Sequence, residues 1–238
     1  MRLGVVAQLY RYPVKSMRGE ELAEVAVSLQ GLAGDRRYAF VQTGSRSPFP
    51  WLTARQTAAI LRYTPAFATP FDETGREPPL RVRTPAGRDL AVDSDDLRAE
   101  LEAAFGQPLH LLRDYRGSYD VAQISIFNQG LAATIGEQAG MTVDPRRFRA
   151  NIYLDSDGAQ ALPEAQWPGQ ILAIGPELRI AITEQDQRCM MITLDPDSAD
   201  AAPAVLRTVA QSFGNCAGLY ASVLRPGTVR PGDAIETL

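Results

Sequence analysis

The sequence predicts an α+β fold that is rich in strands, with barrel-like or strongly twisted sheets. Most apolar runs are short and are separated by Gly and Pro, which is typical of strands joined by turns. Only three or four segments have a helical pattern, and they do not alternate regularly with strands, which argues against a βα repeat. With 238 residues, 45% of them hydrophobic and 22% charged, the chain can bury a substantial core and matches an ordinary soluble protein.

The first half predicts a series of short strands and one clear helix. Strands are expected at 3–12, 22–29, 38–42, 67–71, 80–84 and 88–92. The segment 53–61 has helical composition, with Thr53 as the N-cap. The clearest helix covers 93–105, because acids and caps open it, Leu97 and Leu101 share an apolar face, and Gly106 ends it.

The second half has a different texture. A polar stretch over 113–123 predicts a boundary between two domains, 1–113 and 114–238. Helices are expected at 125–140, with Ser125 as N-cap, and at 203–213. Strands are expected at 149–154, 171–174, 178–182 and 220–224, followed by a final short strand near the C-terminus.

Charge and composition exclude several classes of function. The chain has 24 basic and 28 acidic side chains, so no net field attracts nucleic acid or an anionic membrane. No stretch approaches the roughly 20 apolar residues of a membrane helix, and no cleavable leader is evident, so we expect a cytoplasmic protein. Two cysteines and one histidine argue against a disulfide scaffold, a four-ligand zinc site and His-based catalysis.

Cys189 lies beside Arg188, after a predicted strand and a polar turn over 184–187. A thiol next to a guanidinium can be held as a thiolate, which is a nucleophile and a ligand for soft metals. If the two residues lie on an extended strand, however, they point to opposite sides. From the local sequence alone, a small buried hydrophobe is the more common role for such a cysteine, and a structural thiol is the default for Cys216.

Three further basic clusters each allow two interpretations. Lys15-Ser16 follows a strand end and can hold an oxyanion, or Lys15 is a solvated loop lysine. Arg36, in Asp35-Arg-Arg37, can bind an anion or stabilise a glycine turn by pairing with Asp35. Strand alternation would place Arg147, Arg149 and Asn151 on one face. Such a face can bind a phosphate or a fused polar ring. Alternatively, it is the basic face of an edge strand, where charge resists aggregation.

Taken together, these motifs resemble the MOSC family, which is related to the C-terminal domain of the molybdenum cofactor sulfurase. The motifs, in chain order, are Tyr12-Pro-Val-Lys-Ser16, Gly34-Asp-Arg36, Arg147-Phe-Arg-Ala-Asn-Ile152, Arg188-Cys189 with Asp195-Pro196, and Pro226-Gly-Thr-Val-Arg-Pro-Gly-Asp233. The resemblance covers nearly the whole chain and is strongest to the amidoxime-reducing branch. It implies an N-terminal MOSC-associated β-barrel domain at 1–113 and a MOSC β-barrel domain with a few peripheral helices at 114–238.

The resemblance also implies roles for individual residues. A molybdenum–molybdopterin cofactor would lie between the domains, with the metal bound by the catalytic Cys189. The organic part would be bound by Lys15, Ser16, Arg36, Ser125, Arg149, Asn151 and Arg188, with Ser125 acting at a helix start. Two departures stand out: Ala150 replaces a frequent proline, and Gln185-Asp-Gln187 lacks the hydroxyl residue often found before Arg-Cys.

The function that the resemblance implies is reduction of small N-hydroxylated or N-oxygenated compounds. Because no iron–sulfur domain is evident, the electrons would come from a separate iron–sulfur, flavin or haem protein. One alternative is a sulfur carrier or cofactor-delivery protein with a persulfide on Cys189, and another is a non-catalytic cofactor-binding module. Pyridoxal phosphate binding is a further, generic association of MOSC proteins.

Overall fold

The computed structural model of the chain describes residues 1–71, 76–156 and 166–238. Its strands are β1 (Arg2–Arg11), β2 (Glu20–Glu21), β3 (Val25–Ser28), β4 (Gly31–Leu32), β5 (Tyr38–Gln42), β6 (Thr64–Phe67), β7 (Leu80–Arg83), β8 (Asp89–Ala91), β9 (Leu109–Arg113), β10 (Ile124–Asn128), β11 (Ile152–Ser156), β12 (Ile171–Ile174), β13 (Leu178–Gln187), β14 (Cys216–Arg225), β15 (Gly227–Val229) and β16 (Ala234–Thr237). The helices are α1 (Asp95–Phe105), α2 (Gln129–Ala139) and α3 (Pro203–Ser212), and 3-10 helices cover Ala58–Arg62, Pro145–Phe148 and Met190–Thr193. The chain is therefore α+β and strand-rich, as predicted.

Seven strands close into a β-barrel. Their order is β11-β10-β14-β13-β12-β16-β1, and β1 returns to pair with β11. The pair β10–β11 is parallel, with α2 in the crossover between them, and the other barrel pairs are antiparallel. Buried aliphatic side chains such as Ile126, Ile152 and Ile180 form the core of this part. Closure leaves these seven strands without a free edge, which removes the usual site of edge-to-edge association.

The smaller sheets belong mostly to the first half of the sequence, and a second hydrophobic core packs among them. Strands β5 and β9 form one pair, β6–β7–β8 form a meander, and β15 joins β3 and β4. Phe40, Leu97 and Leu101 are fully or almost fully buried in this second core. Because β1 is a barrel strand and β15 pairs with β3, the two halves of the sequence exchange strands.

The helix predicted at 93–105 is confirmed. Ser94 accepts a hydrogen bond from the backbone N–H of Leu97, and Gly106 ends the helix in the left-handed conformation. The predictions for 53–61 and 67–71 were wrong in detail. Only a 3-10 helix forms at Ala58–Arg62, preceded by a turn in which Thr53 accepts from the N–H of Arg55. The strand ends at Phe67, and the Phe71 ring packs against the Phe67 ring with a centroid distance of 4.9 Å.

Three errors in the second half bear on the site. Ser125 does not begin a helix: it lies in the wholly buried β10 between two barrel strands, and Asn128 caps α2 instead. The predicted strand 149–154 begins only at Ile152, because Arg149 ends the 3-10 helix Pro145–Phe148 with a φ of 52°. The expected polar turn over 184–187 is the last part of β13, which stays paired with β14 as far as Gln187 opposite Cys216.

Candidate functional site

A cavity of about 410 Å³ brings together seven of the eight predicted site residues. They are Lys15, Ser16, Arg36, Ser125, Arg149, Arg188 and Cys189. These residues come from widely separated parts of the chain, and the volume is that of a typical small-molecule site. Asn151, the eighth, is buried behind the cavity wall, with only 1% of its surface exposed.

Lys15 and Ser16 lie in a loop that is pinned to the strand β5. The backbone N–H of Lys15 donates to the carbonyl of Tyr38 at 2.8 Å. The Lys15 ammonium donates to the carbonyl of Ser118 at 2.8 Å and pairs with Asp120 at 2.9 Å. Burial lowers the pKa of Lys15, and Asp120 opposes that shift. Ser16 is 7% exposed and makes no side-chain hydrogen bond to any described residue, so its hydroxyl is free for a ligand.

Arg36 is held by a fully buried carboxylate. Asp35 accepts from the backbone N–H of Tyr12 at 2.7 Å and from Nη1 of Arg36 at 2.5 Å. Burial opposes the charge of Arg36, but Asp35 outweighs it and raises the Arg36 pKa. Nη2 of Arg36 also donates to the carbonyl of Arg149 at 3.1 Å, so the two arginines are fixed relative to each other.

Within the described ranges, the guanidinium of Arg149 has no acidic partner. It stacks on the ring of Tyr12 at 4.3 Å, and Arg36 approaches the same ring at 4.9 Å. Among the residues that the structure describes, no carboxylate lies within ion-pair distance of Arg149. Burial lowers the pKa of Arg149, and Tyr12 opposes that shift in part. A rigid fork of N–H donors with no anion of its own fits an anionic or planar ligand.

Asn151 lies behind the arginines of the cavity wall and is hydrogen-bonded to the backbone of Ser125. Oδ1 of Asn151 accepts from Nη1 of Arg36 at 3.2 Å and from the backbone N–H of Ser125 at 3.1 Å. Nδ2 of Asn151 donates to the carbonyl of Tyr10 at 3.2 Å. Asn151 therefore positions Arg36 and joins β10 to β1, whereas Ser125 reaches the cavity and donates to Asp186 at 3.4 Å.

Arg188 fastens the backbone around Cys189. Its guanidinium donates to the carbonyls of Ala217 at 2.6 Å and Phe148 at 2.9 Å, and it pairs with Asp186 at 2.8 Å. Gly218 has a φ of 91°, and a Cβ there would lie 2.8 Å from Nη2 of Arg188, so glycine makes room for the guanidinium. Burial raises the pKa of Asp186 to about 6, although Arg188 opposes that shift.

Arg55, which contacts the Cys189 thiol, is not among the predicted site residues. Nη2 of Arg55 lies 3.4 Å from Sγ of Cys189, across a sequence separation of 134 residues. Cys189 is partly exposed, so it is not the small buried hydrophobe that its local sequence favoured. The only signal for Arg55 was a basic residue in the polar segment 53–56, which is too common a pattern to indicate a site.

Backbone strain is concentrated at this cavity. In the described ranges five non-glycine residues have a positive φ, and three of them, Ser16, Arg36 and Arg149, line the cavity. Each such residue costs on the order of 1–3 kcal/mol unless its surroundings compensate. Strain of this kind is typical of sites where side chains are aimed at a ligand.

Fold and site together define a β-barrel protein with a cationic cavity of small-molecule size and a partly exposed thiol in its wall. The chain belongs to the MOSC family: the MOSC domain matches residues 114–236, and the MOSC N-terminal beta barrel domain matches residues 3–110. MOSC domains are associated with binding or sulfuration of the molybdenum cofactor.

Individual relatives are distant. The chain is 23% identical over 257 aligned positions to the human molybdenum cofactor sulfurase, a match that covers 87% of this chain but only 28% of that protein. The crystal structure of the YUAD protein from Bacillus subtilis is 16% identical with a TM-score of 0.52, covering 99% of this chain and 95% of that one. That likeness supports the fold alone. The YiiM protein from Geobacillus stearothermophilus is 18% identical with a TM-score of 0.39 over 49% of this chain and 54% of that one, which is too low to carry an argument.

One further observation concerns membranes. Among the described residues, no helix is both long enough and apolar enough to cross a bilayer.

Proposed function

We propose that this protein binds a molybdenum–molybdopterin cofactor in the 410 Å³ cavity and reduces small N-oxygenated compounds there. The observation that carries the proposal is that one cavity is lined by Arg149, whose guanidinium has no ion-pair partner among the described residues, by the hydroxyl residue Ser16 and by the partly exposed Cys189. A phosphorylated, hydrogen-bonding pterin needs cationic and neutral donors, and a soft metal needs a thiolate. The residues present therefore fit the cofactor.

Each residue has a distinct part in this proposal. Arg149, Ser16 and Lys15 hold the phosphate and the pterin, and Cys189 binds the metal. Arg36 and Asn151 keep Arg149 in its strained conformation through the Arg149 carbonyl and the buried network behind it. Arg188 ties the segment next to Cys189 to the backbone carbonyls of Ala217 and Phe148. The cofactor, when bound, would supply a two-electron centre for oxygen-atom removal.

The reaction balances with an external reductant. An amidoxime takes up two electrons and two protons, its N–O bond breaks, and an amidine and water are released. We propose that the electrons come from a separate iron–sulfur, flavin or haem protein. Asp186 is the cavity carboxyl whose pKa of about 6 suits proton transfer near neutral pH.

The alternative is a sulfur carrier in which Cys189 bears a persulfide. The match to part of a molybdenum cofactor sulfurase favours this second candidate.

Two measurements separate the reductase from the carrier. The first is amidoxime reduction with an artificial reductant, compared between the cofactor-loaded wild type and Cys189→Ala. The second is the intact mass of the wild type, which shows whether Cys189 carries a persulfide. Loss of activity in Cys189→Ala, without a persulfide mass on the wild type, supports the reductase. Unchanged activity defeats the proposed ligand role, and a persulfide with no reduction supports the carrier.

A further inference from the structure

The cations deep in the cavity are already committed to partners. Lys15 is paired with Asp120, Arg36 with Asp35, and Arg188 with Asp186. Arg147 also lines the cavity, but it donates to the carbonyl of Thr193 at 2.7 Å and pairs with Asp195 at 3.1 Å. Arg149 is the exception, and the proposed function assigns it to the cofactor. None of these five is left to select a substrate.

Arg55 differs from all of them. It is exposed, it lines the same cavity, and in the part of the chain that the structure describes no carboxylate lies within ion-pair distance of it. The turn that carries it is well fixed, because Gln56 accepts from the N–H of Thr53 at 2.9 Å and the Thr53 hydroxyl accepts from the N–H of Arg55 at 3.3 Å. One of its N–H groups contacts the sulfur of Cys189, which leaves the rest of a five-donor fork available.

Apolar side chains accompany Arg55 at the cavity. Phe49 and Val121 line it and are 60% and 53% exposed. The Phe49 ring packs against Trp51 at a centroid distance of 5.6 Å, which supports it from one side. Ligand sites in proteins are lined largely by apolar side chains, so these two residues offer an apolar contact to a ligand in the cavity. The cavity lining therefore offers a ligand both apolar side chains, Phe49 and Val121, and the guanidinium of Arg55, which is unpaired among the described residues.

We infer that Arg55, with Phe49 and Val121, selects substrates that join an apolar or aromatic body to a planar anion such as a carboxylate. This inference rests on the proposed reductase function. A guanidinium binds a carboxylate through two parallel N–H···O bonds, whereas a neutral substrate of the same shape gains only the apolar contact. Arg55 is therefore a specificity-determining residue.

The test compares two probes with two Arg55 variants and one matched control. The probes are benzamidoxime and 4-carboxybenzamidoxime, reduced by cofactor-loaded wild type, Arg55→Gln and Arg55→Lys. The control is Arg62→Gln, which removes another exposed charge from the same region, at a residue that does not line the cavity. We expect the ratio of kcat/KM for the carboxylated over the neutral probe to fall about tenfold or more in Arg55→Gln, chiefly through KM, which corresponds to about 1.4 kcal/mol. Arg55→Lys keeps part of the preference, and Arg62→Gln keeps all of it.

A second measurement separates failure of the inference from failure of the function. Binding of both probes to oxidised, cofactor-loaded protein is followed by calorimetry without any electron donor. Arg55-dependent preference for the carboxylated probe without any reduction would sink the reductase and leave the inference standing. Reduction of both probes with the same ratio in Arg55→Gln would overturn the inference and leave the reductase standing. Loss of molybdenum from Arg55→Gln would also overturn it, because Arg55 would then hold the cofactor.

Discussion

The guanidinium of Arg149 lies 4.3 Å above the ring of Tyr12, and no described carboxylate neutralises it. Arg149 is only partly exposed, and arginines that are largely withdrawn from water are usually paired, because an unpaired desolvated charge is costly. Tyr12 itself is fixed, since its hydroxyl donates to the carbonyl of Ala150 at 3.2 Å and its N–H donates to Asp35. The pair is therefore a rigid platform with a free cation, which is the geometry expected of a site that awaits an anion.

Removing Arg149 should separate ligand binding from stability. In Arg149→Ala we expect the pterin content of protein from a molybdenum-replete host to fall at least tenfold, because the fork for the anion is lost. The free energy of unfolding of the cofactor-free protein should change by no more than about 1–2 kcal/mol, because a lost cation–π contact is offset by removal of an unpaired, partly desolvated charge. Pterin fluorescence and urea denaturation measure the two effects. Normal pterin content in this variant would exclude Arg149 from the cofactor site.

Removing Asp35 should strongly lower the stability of the cofactor-free protein. Asp35→Ala leaves the Arg36 guanidinium and the Tyr12 N–H without their buried acceptor, so we expect a loss of about 3–5 kcal/mol in the free energy of unfolding. Urea denaturation of the cofactor-free protein tests this. The control is Asp200→Ala, which removes an exposed carboxylate. Similar stability of the two variants would mean that Asp35 is not the anchor of Arg36.

Asn151 should act through its neighbours. Asn151→Leu keeps the volume but leaves the Ser125 N–H and the Tyr10 carbonyl unsatisfied, at about 1–3 kcal/mol for each group. We expect lower stability without cofactor and a reduced pterin content, because Arg36 loses one of its acceptors. Asn151→Asp should preserve the acceptor to Arg36 and recover part of the pterin. Loss of pterin without loss of stability would instead indicate direct contact with the cofactor.

Asp186 should give stability an unusual pH dependence. Its pKa is raised to about 6 in the folded protein, whereas an unfolded Asp titrates near roughly 3.9. The folded state therefore binds more protons between these values, and the contribution of Asp186 to stability falls as the pH rises through this interval. The free energy of unfolding of wild type minus that of Asp186→Asn should decline from about pH 4 to about pH 6 and then level off.

Denaturation series at stepped pH measure this difference. The loss of the partner of Arg188 in Asp186→Asn adds an offset that does not depend on pH in this range, so only the slope is diagnostic. A difference that rises with pH would show that the Asp186 pKa is lowered rather than raised.

The sequence predicted the strand-rich class and the set of cavity residues better than it predicted local geometry. The α1 helix was found because its cap, apolar face and terminal glycine are local signals. Ser125 was placed in a helix because the apolar pattern of α2 extends back into β10, and only the barrel partners β11 and β14 make that segment a strand. Arg149 was placed on a strand because nothing in Arg-Arg-Phe-Arg signals a left-handed residue.

The other differences between the predicted and the observed site come from contacts between segments that are distant in the sequence. Arg188 was considered as the group that favours the thiolate, but its donors are used by Ala217, Phe148 and Asp186. Arg55 contacts the sulfur instead, from a turn that local pattern did not connect with Cys189. Family resemblance selected residues that line one cavity, whereas the side-chain partners depend on tertiary packing that a single sequence does not reveal.

The most direct test of the central claim, that Cys189 binds molybdenum, is the ratio of molybdenum to pterin in purified protein. Wild type and Cys189→Ser are produced in parallel in a molybdenum-replete host that also loads a known molybdenum enzyme. Molybdenum and pterin are then measured in each purified protein. We predict near-stoichiometric molybdenum and pterin in wild type, and a large loss of molybdenum with retained pterin in Cys189→Ser. Equal molybdenum in the two proteins, or neither metal nor pterin in wild type while the reference enzyme is loaded, would contradict it.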